Sequence, residues 1–175
     1  MMSLLSTILN KIRCIMLDKP AKFEIFIGKY FKNSGEFDVI RAPRTIIPGL
    51  KSTEDNLPDF KFADKRSGKE FWVECKWRPR WYYKDDSKAL FFKPGLIKLY
   101  KKIQRESDKK IFLALGIGVY KNSQDTLNPR ELYFFPLNMF ADLNYIRQSY
   151  LLRNDRMHKF RFKKPKFFPQ TNDLR

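Results

Sequence analysis

The chain has 175 residues and a formal net charge of +17, with 36 Lys and Arg against 19 Asp and Glu, and 43% of its residues are hydrophobic. This length suits one compact domain with short extensions, and the apolar fraction excludes wholesale disorder. The basic charge favours an anionic partner such as nucleic acid or an acidic membrane surface. With two cysteines and one histidine, the chain lacks a disulfide framework, a zinc site of the usual type and chemistry that needs a histidine pair.

Residues 1–18 are predicted to form an amphipathic helix, because apolar residues recur at helical spacing: Leu5, Ile8, Leu9, Ile12, Ile15 and Met16. Lys11 and Arg13 interrupt this run and no small-residue cleavage site follows, so a signal peptide is not expected. Packing on the domain is the preferred account of the stripe, and membrane contact is the alternative. No run approaches membrane-spanning length, so the cytoplasm is the expected location, with no membrane partner.

The central part of the chain, residues 19–145, begins with a helix and three strands. The helix carries an apolar face of Phe23, Phe26, Ile27, Tyr30 and Phe31 and ends near Gly35. Strands are predicted over Glu36–Ala42 and Asp59–Ala63, with a polar connection over residues 44–57. The third strand alternates most clearly: Phe71, Val73, Cys75 and Trp77 share one face, and Trp72, Glu74 and Lys76 share the other.

Further elements follow a basic, aromatic loop over residues 77–84. A helix is predicted over Pro94–Arg105, buried strands over Ile111–Val119 and Glu131–Phe135, and a short helix over Leu137–Leu143. Residues 146–175 form a basic, Phe-rich C-terminal tail. The order α-βββ-α-β-β-α predicts an α/β fold, in which an antiparallel meander and the strand after the crossover helix share one mixed sheet flanked by helices.

The most informative motif is Pro58-Asp59 followed by Glu74-Cys75-Lys76 on two neighbouring strands. Glu74 and Lys76 leave the same face of their strand, and the turn at residues 65–68 can fold Asp59 beside Glu74. Two close carboxylates repel each other, and a hard cation such as Mg²⁺ relieves that repulsion. The Cys75 carbonyl offers a further oxygen ligand, and Lys76 can orient water against a scissile phosphate. The alternative is that these are solvated surface charges.

The motif and the order of elements resemble the PD-(D/E)xK nuclease superfamily over about residues 20–140. This resemblance implies a restriction-endonuclease-like fold in which Asp59 and Glu74 bind Mg²⁺, with Mn²⁺ as an alternative, and Lys76 is the catalytic lysine. It also implies a further carboxylate from the first helix of the fold, and Glu24 is the matching residue. One subgroup carries Gln-xxx-Tyr on the helix after the lysine, whereas this chain has Leu96 and Tyr100 at those positions.

A nucleic-acid-binding surface is predicted beside the motif. Arg78, Arg80 and Lys84 alternate with Trp77, Trp81, Tyr82 and Tyr83; cations neutralise phosphates, and aromatic rings stack on unpaired bases. Lys98 and Lys102 on the following helix are further candidates. Equally, the aromatic residues can cover the sheet while the cations are solvated. The tail from Arg153 to Phe168 is interpreted first as a disordered basic arm, and alternatively as an added edge strand.

The sequence thus predicts a Mg²⁺-dependent endonuclease acting on DNA, with Asp59, Glu74 and Lys76 as catalytic residues. The alternative is a nucleic-acid-binding module of the same fold without catalysis, and a third hypothesis is a basic protein that binds a membrane surface or a protein partner. Dimers are frequent among the enzymes that the chain resembles, so a homodimer is a further prediction, although no pattern fixes an interface.

Overall fold

A computed structural model describes residues 18–42, 57–93, 95–123, 126–139, 145–153 and 158–160, the last three and residues 152 and 153 by backbone only. The predicted N-terminal helix, most of the connection over residues 44–57 and the tail beyond residue 160 lie outside the described residues. None of the described helices is long and apolar enough to cross a membrane.

The first helix begins and ends where the sequence predicts, the second is shifted by two residues from its predicted bounds, and the third was not predicted. Helix α1 spans Lys19–Ser34; the Asp18 side chain caps it by accepting the Ala21 N–H at 2.9 Å, and it ends at Gly35, whose φ of 74° suits glycine. Helix α2 spans Leu96–Ser107 and helix α3 spans Gln148–Arg153. The short helix predicted after the last long strand is a 3-10 turn over Leu137–Met139, and residues 140–143 lie outside the described residues.

Six strands form the central sheet: β1 Phe37–Arg41, β2 Phe60–Asp64, β3 Glu70–Arg78, β6 Ile111–Ile117, β9 Glu131–Pro136 and β11 His158–Phe160, in the order β1-β2-β3-β6-β9-β11. Neighbours are antiparallel except β3 and β6, which are parallel because α2 connects them as a crossover. The predicted α/β fold class, with a mixed sheet flanked by helices, is confirmed.

A second, three-stranded sheet was not predicted. It contains β4 Tyr82–Lys84, β5 Ser87–Phe91 and β10 Tyr145–Arg147 in the order β10-β5-β4. The loop predicted over residues 77–84 therefore ends as a strand, and Asp85 and Asp86 form the two-residue turn with φ of 49° and 56°. Positive φ at both turn positions matches the twist of a hairpin, and aspartate tolerates it better than most residues. The short strands β7 Lys121–Asn122 and β8 Leu127–Asn128 form a separate pair.

The interpretation of the C-terminal segment as a disordered arm is wrong for residues 158–160. These residues form β11, which pairs with β9 in the register Lys159↔Tyr133, so the edge-strand alternative holds there. The unpaired backbone groups of β9 provide the template that this alternating segment completes. The predicted boundary between residues 145 and 146 falls within β10.

Both faces of the central sheet are buried along its inner strands β3, β6 and β9. Helix α1 covers the face that carries Phe71, Val73 and Cys75, as predicted, with Phe31 stacked on Phe62 at 4.4 Å. The other face carries Trp72 and is covered by α2, through Ile97 and Tyr100, and by Leu90 and Ile146 of the small sheet. Glu74 and Lys76 project from this second face, where Glu74 is buried beneath this layer of side chains and Lys76 is half-buried.

Candidate active site

Asp59 is fixed where β2 and β3 separate. The last pair of their ladder is Phe60↔Val73, and the buried Pro58 has no N–H with which to extend it. The Pro58 carbonyl accepts a hydrogen bond from Arg41 Nη1 at 3.2 Å, whereas the Cys75 N–H donates to Asp59 Oδ2 at 2.7 Å. The Asp59 carboxylate thus takes the place of a backbone acceptor, which determines its orientation.

Glu74 and Lys76 lie on the adjacent strand and contact each other. Their alternation in β3 places both side chains on the α2 face, and Lys76 Nζ forms an ion pair with Glu74 Oε1. The Glu74 side chain is only 3% exposed, whereas that of Lys76 is 26% exposed. The carboxylate is therefore at the base of the site and the ammonium group reaches toward solvent.

Glu24 and Cys75 complete the neighbourhood. Glu24, half-buried on α1, acts electrostatically on Asp59 and on the Cys75 thiol. Within a strand the N–H and C=O of one residue point to the same side, so the Cys75 carbonyl leaves β3 on the side where its N–H meets Asp59. The structure thus brings together the five residues expected from the sequence and the resemblance: Glu24, Asp59, Glu74, Cys75 and Lys76.

The electrostatics of the site are those of crowded carboxylates. Burial raises the pKa of Asp59 well above its ordinary value, and the charges of Glu74 and Glu24 raise it further, against the lowering effect of the Cys75 N–H and Lys76. Burial by itself lowers the pKa of Lys76, but the charge and hydrogen bond of Glu74 outweigh it, and the net pKa is raised. Lys76 therefore remains an ammonium group at neutral pH.

Tyr100 belongs to the site, although the sequence alone identifies it only as the residue at the tyrosine position of the Gln-xxx-Tyr subgroup. It is buried, and its hydroxyl hydrogen-bonds the Glu74 carboxylate; burial first, then Glu74, raises the pKa of the phenol. The phenol therefore stays protonated and donates. The signal was a tyrosine among Leu and Ile residues, since a buried tyrosine usually finds a partner for its hydroxyl.

Few of the described side chains are placed to bind a metal ion. Among the residues that the structure describes, no three His, Cys, Asp or Glu side chains are placed so that they could hold one ion together. Asp59 and Glu74 with the main-chain carbonyl of Cys75 form an all-oxygen set, which is the kind that Mg²⁺ prefers, with water completing its shell. The like charges that raise the pKa of Asp59 are those that a divalent cation would balance.

The predicted nucleic-acid-binding cations differ in their exposure and in their contacts. Arg78 ends β3 on the same face as Glu74 and is half-buried, with Nη1 donating to the Trp77 carbonyl at 2.9 Å. Arg80 is exposed in the connection to β4. On α2, Lys98 and Lys102 are exposed, and Lys102 pairs with Glu106 at 3.7 Å. Lys84 lies in the small sheet with its ammonium 3.9 Å from the ring centroid of Tyr145.

The aromatic residues of the same segment divide into two kinds. Trp77 and Trp81 are buried, and Trp77 Nε1 donates to the Gly118 carbonyl at 3.0 Å. Tyr82 and Tyr83 are 45% and 71% exposed. The alternative that the aromatic residues cover the sheet therefore applies to the tryptophans. The two tyrosines are available for contact with a partner.

Comparison with known proteins finds similarity to solved structures and to no family model. No family model and no curated protein sequence matches the chain. The chain is similar to the structure of Hjc from Archaeoglobus fulgidus, a Holliday junction resolvase from an archaeal hyperthermophile, with 16% identity, 73% of this chain and 88% of that chain covered, and a TM-score of 0.46.

Proposed function

We propose that this protein is a metal-dependent nuclease that hydrolyses phosphodiester bonds of DNA. The observation that carries the proposal is the convergence of Asp59, Glu74 and Lys76 where β2 and β3 separate. Two carboxylates buried beside one ammonium group are poorly explained as solvated charges, because burying unbalanced charge is costly.

Asp59, Glu74 and the Cys75 carbonyl are the proposed metal ligands. Glu24 is left out of this set, because no three such side chains among the described residues could hold one ion together. A bound Mg²⁺ or Mn²⁺ would supply Lewis-acid activation of water and of the phosphate. Asp59 is oriented by the Cys75 N–H and Glu74 by Tyr100, so both carboxylates are held in place before any ligand arrives. Such partners commonly tune metal affinity and activity.

Lys76 is proposed to act as a hydrogen-bond donor. An ammonium group has three donors and no acceptor, and Glu74 keeps the pKa of Lys76 raised, so this residue cannot take the proton of the attacking water. It can donate to the water oxygen or to a non-bridging phosphate oxygen. In that position it would stabilise the charge that accumulates as the water oxygen bonds to phosphorus and the bond to the leaving sugar oxygen breaks.

A second candidate is a DNA-binding module without catalysis. It is supported by the Lys76–Glu74 ion pair, which already balances one carboxylate, and by the absence of a three-side-chain ligand group among the described residues. The two candidates differ in one measurable property, which is turnover.

The test is metal-dependent nicking of supercoiled plasmid and of branched DNA by the purified protein, with EDTA as the control. We expect Lys76→Ala to lower the cleavage rate at least 100-fold, because it removes transition-state stabilisation, and to leave DNA affinity within about threefold. Lys65→Ala, in the β2–β3 turn, is the matched control and should cleave like the parent. Cleavage by Lys76→Ala at the parent rate would refute the assigned role, and binding without cleavage by the parent would favour the non-catalytic module.

A further inference from the structure

The small sheet has two faces with different partners. One face carries Leu90 and Ile146 and is buried against the side of the central sheet that α2 covers. Side chains alternate between the two faces along a strand. The register pairs Tyr82 with Ala89, Arg147 with Ala89 and Tyr145 with Phe91. The opposite side, here called the outer face, therefore carries Tyr82, Lys84, Ser87, Ala89, Phe91, Tyr145 and Arg147.

Rings and cations alternate on the outer face. Phe91 and Tyr145 have centroids 5.8 Å apart and are tilted by 36°. Lys84 Nζ lies 3.9 Å from the Tyr145 centroid and 5.9 Å from that of Phe91. Tyr82 and Phe91 remain 45% and 41% exposed, which is a large exposure for aromatic side chains.

The charge of this face is basic but partly balanced. Arg147 Nη2 lies 3.1 Å from Asp85 Oδ2 in the hairpin turn, and the Arg147 side chain is 40% exposed. The contact holds the guanidinium at the rim of the aromatic cluster. An exposed pair of this kind is worth little, so a phosphate can compete for Arg147.

We propose that the outer face binds unpaired nucleotides, with bases stacking on Tyr82, Phe91 and Tyr145 and phosphates contacting Lys84 and Arg147. Exposed rings interleaved with cations are the combination that binds single strands without sequence preference. In the chain, the β4–β5 hairpin lies between β3, which carries Glu74 and Lys76, and α2, which carries Tyr100. The choice of nucleic acid as ligand rests on the proposed function.

The experiment measures binding in EDTA, so that cleavage plays no part. A fluorescein-labelled 20-nucleotide oligo(dT) and a duplex of equal length are titrated with the full chain at several salt concentrations. The variant Phe91→Ala/Tyr145→Ala should bind oligo(dT) at least tenfold more weakly, with a much smaller change for the duplex. Phe91→Tyr/Tyr145→Phe keeps the rings and should bind like the parent, as should Tyr120→Ala, which removes an exposed tyrosine elsewhere.

Two further readouts separate stacking from other causes. Lys84→Gln should reduce the slope of log K against log salt for oligo(dT) by about 0.7. Circular dichroism checks that each variant is folded. A folded ring-less variant that binds oligo(dT) with the parent's affinity overturns the proposal. Ring-dependent flotation with anionic vesicles, without binding of oligo(dT) by the parent, overturns it in favour of a membrane surface.

Failure of the nuclease assignment and failure of the outer-face proposal give different combinations of results. If the parent cleaves no DNA with any divalent metal but binds oligo(dT) in a ring-dependent manner, the outer face stands and the nuclease assignment is lost. If cleavage occurs and oligo(dT) binding does not depend on the rings, the nuclease assignment stands and the outer-face proposal is lost.

Discussion

Asp59 has two roles at the level of the single residue. Its Oδ2 atom accepts the Cys75 N–H at 2.7 Å, and its charge lies among those of Glu74 and Glu24. The first contact stabilises the fold and the second destabilises it. An alanine at this position would lose both, so it could not separate structure from chemistry.

Asp59→Asn separates them, because the amide oxygen still accepts the Cys75 N–H. The folded-state pKa of Asp59 is raised, so its contribution to stability is present below the unfolded pKa of about 4 and is lost as pH rises through the folded value. In EDTA, Asp59→Asn should therefore melt above the parent at pH 7 by a few degrees, since about 1 kcal/mol moves Tm by about 2–4 °C at this size.

Melting curves of both proteins between pH 4 and pH 8 check this expectation. The difference in Tm should widen as pH rises, and cleavage by Asp59→Asn should be lost. A parent protein that is the more stable of the two at pH 7 would contradict the account of crowded carboxylates.

Tyr100 is predicted to position Glu74. Tyr100→Phe keeps the ring in the core but removes the hydrogen bond to the carboxylate, and loss of such a partner commonly costs about 10–100-fold in metal affinity or activity. The variant should cleave at least tenfold more slowly at low metal concentration and recover partly at high concentration. Ile97→Val, at a buried position on the same helix, is the packing control. An unchanged metal dependence in Tyr100→Phe would count against the role.

At the level of elements, α1 and β6 approach closely at Gly116. A Cβ added there would lie 2.6 Å from Cε2 of the Phe23 ring, which is too close for any real contact. Phe23 is fully buried, so its ring has little room to move.

Gly116→Ala should accordingly lower the free energy of unfolding by about 1–3 kcal/mol, as overpacking does in tight cores. Urea denaturation measures the change. Phe23→Leu in the same chain should reduce the penalty, and this coupling is the signature of a direct clash. Additive effects of the two substitutions would show that the cost of Gly116→Ala arises elsewhere.

The strands of the central sheet and the helices beside it could be predicted because the periodicity of their apolar residues is strong. Alternation in β3 and the continuous apolar run of β6 gave their types and their faces. The small sheet was missed because the aromatic and basic residues around β4 also fit a binding loop. The signal that would have found it is Asp85-Asp86 between two short runs rich in aromatic residues. The close approach of Gly116 to Phe23 depends on tertiary packing, which no local pattern contains.

For the whole molecule, the net charge of +17 predicts salt-dependent binding of nucleic acid. Each neutralised phosphate contributes about 0.9 to the slope of log K against log salt for duplex DNA. Lys98→Gln/Lys102→Gln removes two exposed cations of α2 and should reduce the slope by about 2. Filter binding between 50 and 300 mM salt measures it, with Lys65→Gln as control, and equal slopes would remove α2 from the binding surface.

Strand β11 has a consequence for any truncated version of this protein. Residues 158–160 pair with β9, so a chain that stops before residue 158 exposes the backbone groups of β9 along a long apolar strand. Such a bare edge invites association between copies. Removal of the basic tail should therefore begin after residue 160, because a shorter chain that precipitates would reflect a lost strand and would not test whether the tail contacts DNA.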